Sequence, residues 1–113
     1  MTENLIAPPS VVQQFLAAHT ARDVEGVLGT LTPDAVVTDD GRTHRGAVGI
    51  SGWLRRAASE YSYSSTLTGV ERQDDERWAT THHLVGDFPG GVVDLRYRFT
   101  LRGDRIAELT IAP

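Results

Sequence analysis

Val12, Phe15, Leu16 and His19 recur at i, i+3, i+4 and i+7, which predicts a helix over residues 10–21 with one apolar face. Ser10 offers an N-cap, and Gln13 three residues later completes a capping-box pattern. Asp23 reads as the N-cap of a second helix in which Val24, Val27, Leu28 and Leu31 repeat the spacing until Pro33 ends it. A third helix is expected over 47–60, burying Ile50, Trp53, Leu54 and Ala57. Between the last two lies a short apolar strand, 35–39, followed by a loop over 40–46. From Tyr61 onward Ser, Thr, Tyr and Val dominate, and strands are expected over 61–71, 77–87, 92–102 and 105–111. Asp74-Asp75-Glu76, Phe88-Pro89-Gly90-Gly91 and Gly103-Asp104 separate them as hairpin connections. Helices first and an antiparallel meander afterwards make an α+β plan, with the helices on one face of a curved sheet.

The chain has 113 residues, 40% hydrophobic and 23% charged, which fits one globular domain over 1–113, with residues 1–9 as a flexible leader closed by Pro8 and Pro9. A formal net charge of −4 without a basic run argues against nucleic acid and anionic membranes as partners. With no Cys there is no thiolate nucleophile or disulfide. All 11 basic residues are Arg, which excludes a Schiff-base lysine and points to a GC-rich bacterial genome. The N-terminus lacks a basic segment followed by an apolar run, and no stretch is long enough to span a bilayer, so a cytoplasmic protein is expected.

The strand Ala35-Val36-Val37-Thr38-Asp39 ends in two adjacent carboxylates, Asp39 and Asp40. Alternation puts Val37 and Asp39 on one face and Val36, Thr38 and Asp40 on the other. Whichever face looks inward, one carboxylate is carried toward the interior, where desolvation favours the proton-bound form and suits it to proton transfer. Asp-Asp-Gly is also ordinary turn chemistry. Candidate partners for such a base are His19, on the apolar face of the first helix, and His82 or His83. These two are consecutive in a strand, so one faces in and the other out, and the sequence does not decide which. Tyr63, Tyr97 and Trp53 are candidate wall groups, and Phe88 sits where it could close a cavity. Asp39, His44 and a strand histidine are metal-ligand types, but no spacing such as HExxH supports a metal site, and none is expected.

The segments ARDVEGVLGTLTPDAVVTDDG, GAVGISGWL and YRFTLRGDRIAELTI resemble the nuclear-transport-factor-2-like superfamily, in its SnoaL-like and ketosteroid-isomerase-like branch. The likeness runs from about Ser10 to Ile111 and rests on apolar and turn positions. It implies a cone-shaped α+β barrel, three N-terminal helices on a strongly curved, mostly antiparallel sheet. It further implies a mouth admitting a small, often apolar ligand, and homodimers through the outer sheet face. Asp39 takes the position of the isomerases' general base. Their oxyanion-hole Tyr falls on Phe15, and their late protonated Asp falls on Leu95, with Asp94 one residue out of register. Two of the three catalytic groups are therefore replaced, and a true ketosteroid isomerase is not expected.

The expectation from sequence is a small-molecule protein with an apolar pocket and no cofactor. Its chemistry would be of isomerase, cyclase or dehydratase type, with Asp39 as base and His19, His82 or His83 as donor. Phe15, Trp53, Tyr63, Phe88, Tyr97 and Asp40 would border the ligand. The alternative is a non-catalytic ligand-binding or dimerisation module of the same fold.

Overall fold

The computed structural model describes residues 7–113. Its elements are α1 (Ser10–Thr20), α2 (Val24–Leu28), β1 (Leu31–Asp39), β2 (Arg42–Arg45), α3 (Gly46–Glu60), β3 (Tyr63–Arg72), β4 (Arg77–Gly86), β5 (Val92–Arg102) and β6 (Arg105–Ala112). The strands form one sheet in the order β2-β1-β6-β5-β4-β3. Every neighbouring pair is antiparallel except β1 with β6. The helices lie on the inner face of this curved sheet, the α+β arrangement expected. Among the described residues no helix is long and apolar enough to cross a membrane.

Four local expectations are corrected. Ser10 is the first helical residue and makes no cap; Pro9 holds the N-cap position, and Gln13 Nε2 donates to the Pro8 carbonyl at 2.7 Å. Pro8 is buried and so belongs to the body of the fold, whereas residues 1–6 of the expected leader lie outside the described residues. The second helix stops at Leu28, so Leu31 and Pro33 belong to β1. Pro33 is tolerated there because the β1–β6 register shifts between Leu31 and Val36, leaving the proline outside a regular ladder. The expected loop over 40–46 contains β2, because Asp40 (φ 54°) and Gly41 (φ 75°) make a two-residue connection with left-handed backbone at both positions.

The core forms where α1, α2 and α3 meet the inner face of β1, β6, β5 and β4. Val12, Phe15, Val27, Ile50, Phe99, Ile106 and Leu109 are all buried there. Pairing registers set out the inner face in rows across the strands. Val37, Leu109, Phe99 and Trp78 make one row. The next contains Asp39, Ile111, Tyr97, Thr80 and Val70, and a third contains Leu95, His82 and Leu67. The first row is apolar core, and the later two change to polar side chains as they leave it.

Gly86 lets the start of β3 lie close against β4. A Cβ there would collide with the Ser62 carbonyl and stand 2.6 Å from the Tyr63 Cβ. Gly86→Ala is expected to cost about 1–3 kcal/mol through overpacking. Urea denaturation should show a lower midpoint with unchanged m-value, and an unchanged midpoint would contradict the close approach.

Candidate functional site

Because α1 packs over β5 and β6 through Phe15 and Phe99, the inner face of β3 and the end of β4 are left without a helix above them. A cavity of about 910 Å³ fills that space. Leu16, Ala17 and Thr20 of α1 form one wall, and Leu67, Val70 and Tyr97 of the sheet form the other. The size lies within the usual range for small-molecule sites, and the walls are mainly apolar with few polar groups.

Four of the sequence candidates reach this cavity: His19, Tyr63, His82 and Tyr97. The His19 ring is stacked between Phe15 and Trp53, with centroids 5.6 Å from each. Burial lowers its pKa, and the negative charge of Asp39 opposes that shift without reversing it. His82 is buried, its ring 4.6 Å from that of Tyr97 and its Nε2 2.8 Å from Thr80 Oγ1. Desolvation lowers its pKa, and the nearby His19 lowers it further. Burial raises the pKa of Tyr97 strongly, with Tyr63 and Asp39 adding to the rise. Tyr63 is likewise raised by burial, against the pull of Arg22. At neutral pH the cavity wall therefore carries neutral imidazoles and neutral phenols.

Asp39 faces inward, as one of the two alternations allowed, and is half-buried. It borders neither this cavity nor the small cleft between the helices. Its Oδ2 accepts the Trp53 Nε1–H at 2.9 Å. In its row it stands two strands from Tyr97, with Ile111 between them, or roughly 10 Å at the usual strand spacing. Its charge still reaches His19, Tyr63 and Tyr97.

The other candidates lie elsewhere. His83 is turned to the opposite face of the sheet, half-exposed, with Nδ1 2.7 Å from Asp94 Oδ1. Its alternation with His82 dictates this. Phe15 and Trp53 are core side chains, Trp53 with His44 stacked on its far side. Phe88 packs edge-on against Tyr61, and Asp40 is exposed in the β1–β2 turn, so neither borders the cavity. Among the described residues no three metal-ligand side chains gather, so Asp39, His44 and His82 do not form a metal set. Sequence reasoning passed over Thr80, whose only signal was its place two residues before His82 on the same strand face. It also passed over Leu67 and Val70, apolar residues in a Ser/Thr-rich strand.

Residues 12–109 match the family model described as SnoaL-like domain. Among solved structures, a Sinorhizobium meliloti protein provisionally named a polyketide cyclase is 33% identical with a TM-score of 0.87, the match covering 93% of this chain and 95% of that one. A Catenulispora acidiphila protein of ketosteroid-isomerase-like fold, solved with trimethylamine, is 21% identical with a TM-score of 0.82, covering 95% and 87%. A Mycobacterium tuberculosis protein solved with estradiol-17β-hemisuccinate is 16% identical with a TM-score of 0.75, covering 91% and 90%. No curated protein matches the chain. With the family model spanning most of its length, and this fold and cavity, the chain belongs to the SnoaL-like domain family.

Proposed function

We propose that this chain binds a small, largely apolar and neutral molecule in the cavity between α1 and the β3–β5 wall. The observation that carries the reading is the cavity itself: about 910 Å³, apolar on most sides, with neutral His19, His82, Tyr63 and Tyr97 among its hydrogen-bonding groups, beside Gln13, Thr20, Ser65 and Thr68. The polycyclic ligand of the Mycobacterium tuberculosis structure and the cyclase name of the Sinorhizobium meliloti one accord with it. A homodimer formed through the outer sheet face, and a cytoplasmic location, belong to the same reading.

Proton transfer on the bound molecule is a second reading, favoured by the field of Asp39 on three groups of the cavity wall. In it His19 takes the proton as a free base, and Asp39 stabilises the imidazolium that forms without touching the ligand. Asp39 fits less well as the base itself, because Trp53 holds one of its oxygens and Ile111 stands between it and Tyr97. The reaction class is cofactor-independent removal of a proton beside a carbonyl.

Estradiol, as a polycyclic probe, is expected to bind and to perturb tryptophan fluorescence. Ala17→Trp, at an exposed helix position on the cavity wall, should weaken binding at least tenfold while thermal stability is kept. Absence of binding by the unaltered protein would sink the cavity reading. For proton transfer, α-deuteration of 2-tetralone in D2O can be followed by NMR. His19→Gln should slow exchange by about 100-fold. Asp39→Asn should slow it less, lower the His19 pKa further and leave tetralone affinity within about twofold. Equal rates in all three proteins would leave binding alone.

The buried histidines also set a pH dependence. His19 and His82 have folded pKa values below their ordinary 6.5, so in mild acid the unfolded chain binds more protons than the folded one. Their contribution is complete above about pH 6.5 and is lost as pH falls toward their folded pKa values. The melting temperature should therefore fall between about pH 7 and pH 5, less steeply in His82→Gln; a flat profile would contradict the burial of both rings.

A further inference from the structure

We propose that Thr80 is a positioning residue whose hydroxyl holds the His82 ring in the tautomer that offers Nδ1–H to the cavity, selecting ligands with a carbonyl oxygen. The inference rests on the cavity being a small-molecule site and names the group its ligand must carry.

Thr80 is fully buried, and His82 Nε2 at 2.8 Å is its side chain's hydrogen-bond partner among the described residues. A neutral imidazole has one donor nitrogen and one acceptor nitrogen, so the contact admits two arrangements. If Nε2–H donated to the hydroxyl, the hydroxyl proton would be left in the interior without an acceptor, the costlier kind of unmet group. If the hydroxyl donates to Nε2, its proton is used and the ring must carry its own proton on Nδ1. Burial settles the contest in favour of the second arrangement.

Nδ1 then faces somewhere that can receive it. It has no protein partner among the described residues, and the one buried side-chain nitrogen or oxygen left unpaired among them is Arg96 Nε, on another strand. His82 Nδ1 is therefore not sealed in the interior, and the cavity is the space its ring borders. The Tyr97 ring, 4.6 Å away, packs against the imidazole and restricts its rotation. A fixed N–H at an apolar wall discriminates strongly for an acceptor, because a ligand lacking one leaves that donor unpaired. A ketone or quinone oxygen satisfies it, whereas a hydrocarbon of the same shape does not.

The test reads the ring directly. Nitrogen-15 NMR of the histidine rings at pH 7.5, with His82 assigned by its disappearance in His82→Gln, should show Nδ1 protonated and Nε2 as a hydrogen-bonded acceptor. Thr80→Val should move the Nε2 resonance toward that of a free acceptor, and Thr80→Ser should restore it. In parallel, 2-acetylnaphthalene should bind the unaltered protein more tightly than 2-isopropylnaphthalene. Thr80→Val should weaken the ketone by about five- to tenfold, leave the hydrocarbon unchanged and be rescued by Thr80→Ser. A proton on Nε2 of the unaltered protein overturns the proposal whether or not any variant folds. Equal affinity for the two naphthalenes overturns the selectivity it assigns. Failure of both to bind counts instead against the cavity reading, and the ring spectrum alone then decides the role of Thr80.

Discussion

Phe15 is wholly buried, edge-on to Phe99 at 5.6 Å between ring centroids and stacked on His19 at the same separation. This one side chain fixes α1 over the centre of the sheet. With Val12 one turn earlier it seals the core, and with His19 one turn later it begins the cavity wall. An eleven-residue helix anchored there cannot also cover β3, whose residues stay largely exposed. The cavity is therefore a consequence of helix length and anchor position. Loss of the ring would remove both the core contact and the support beneath His19.

The electrostatics of the cavity follow from the same packing. Removal from water disfavours charge on the histidines and phenols alike, and for His19 that effect outweighs the attraction of Asp39. The polar rings of the wall are consequently uncharged. The acidic side chains that give the protein its net charge of −4 lie mostly elsewhere, several of them exposed: Asp34 and Asp94 on strands, Asp74 and Asp75 in the β3–β4 turn. Asp74 spends its carboxylate on the Glu76 and Arg77 amides of that turn. Of the carboxylates, Asp39 is the one whose field is felt by three groups of the cavity wall.

The helical repeat of Val12, Phe15 and His19 and the four late strands were legible because their periodicity is imposed by burial on one side. The second helix was misread at its end, since Leu31 continues the apolar spacing of Val24 and Val27. Backbone groups that close at Gly29 and Thr30 override it. The β1–β2 hairpin was hidden because Asp40-Gly41 serves equally as loop and as tight turn. His82 and His83 could not be separated, as a strand's alternation gives parity but not which side is inside. Asp39 shows a deeper limit. Its inward sense was one of two readable options, yet its distance from the cavity depends on the parallel pairing of β1 with β6, which no local pattern encodes.

The polar rings that border the cavity sit on α1, β3, β4 and β5, apart from that pairing. The resemblance to the isomerases places their oxyanion donors at Phe15 and Leu95, and both positions here are apolar. His19 lies one turn beyond Phe15 on the same helix face, and His82 is the direct register partner of Leu95 on the neighbouring strand. Each hydrogen-bonding group is thus displaced by one step, along the helix in one case and across the sheet in the other. The imidazoles border the cavity and the carboxylate does not. Asp39 thus acts on the cavity wall through its charge, and His19, stacked on the Trp53 that holds Asp39, is the imidazole on its side.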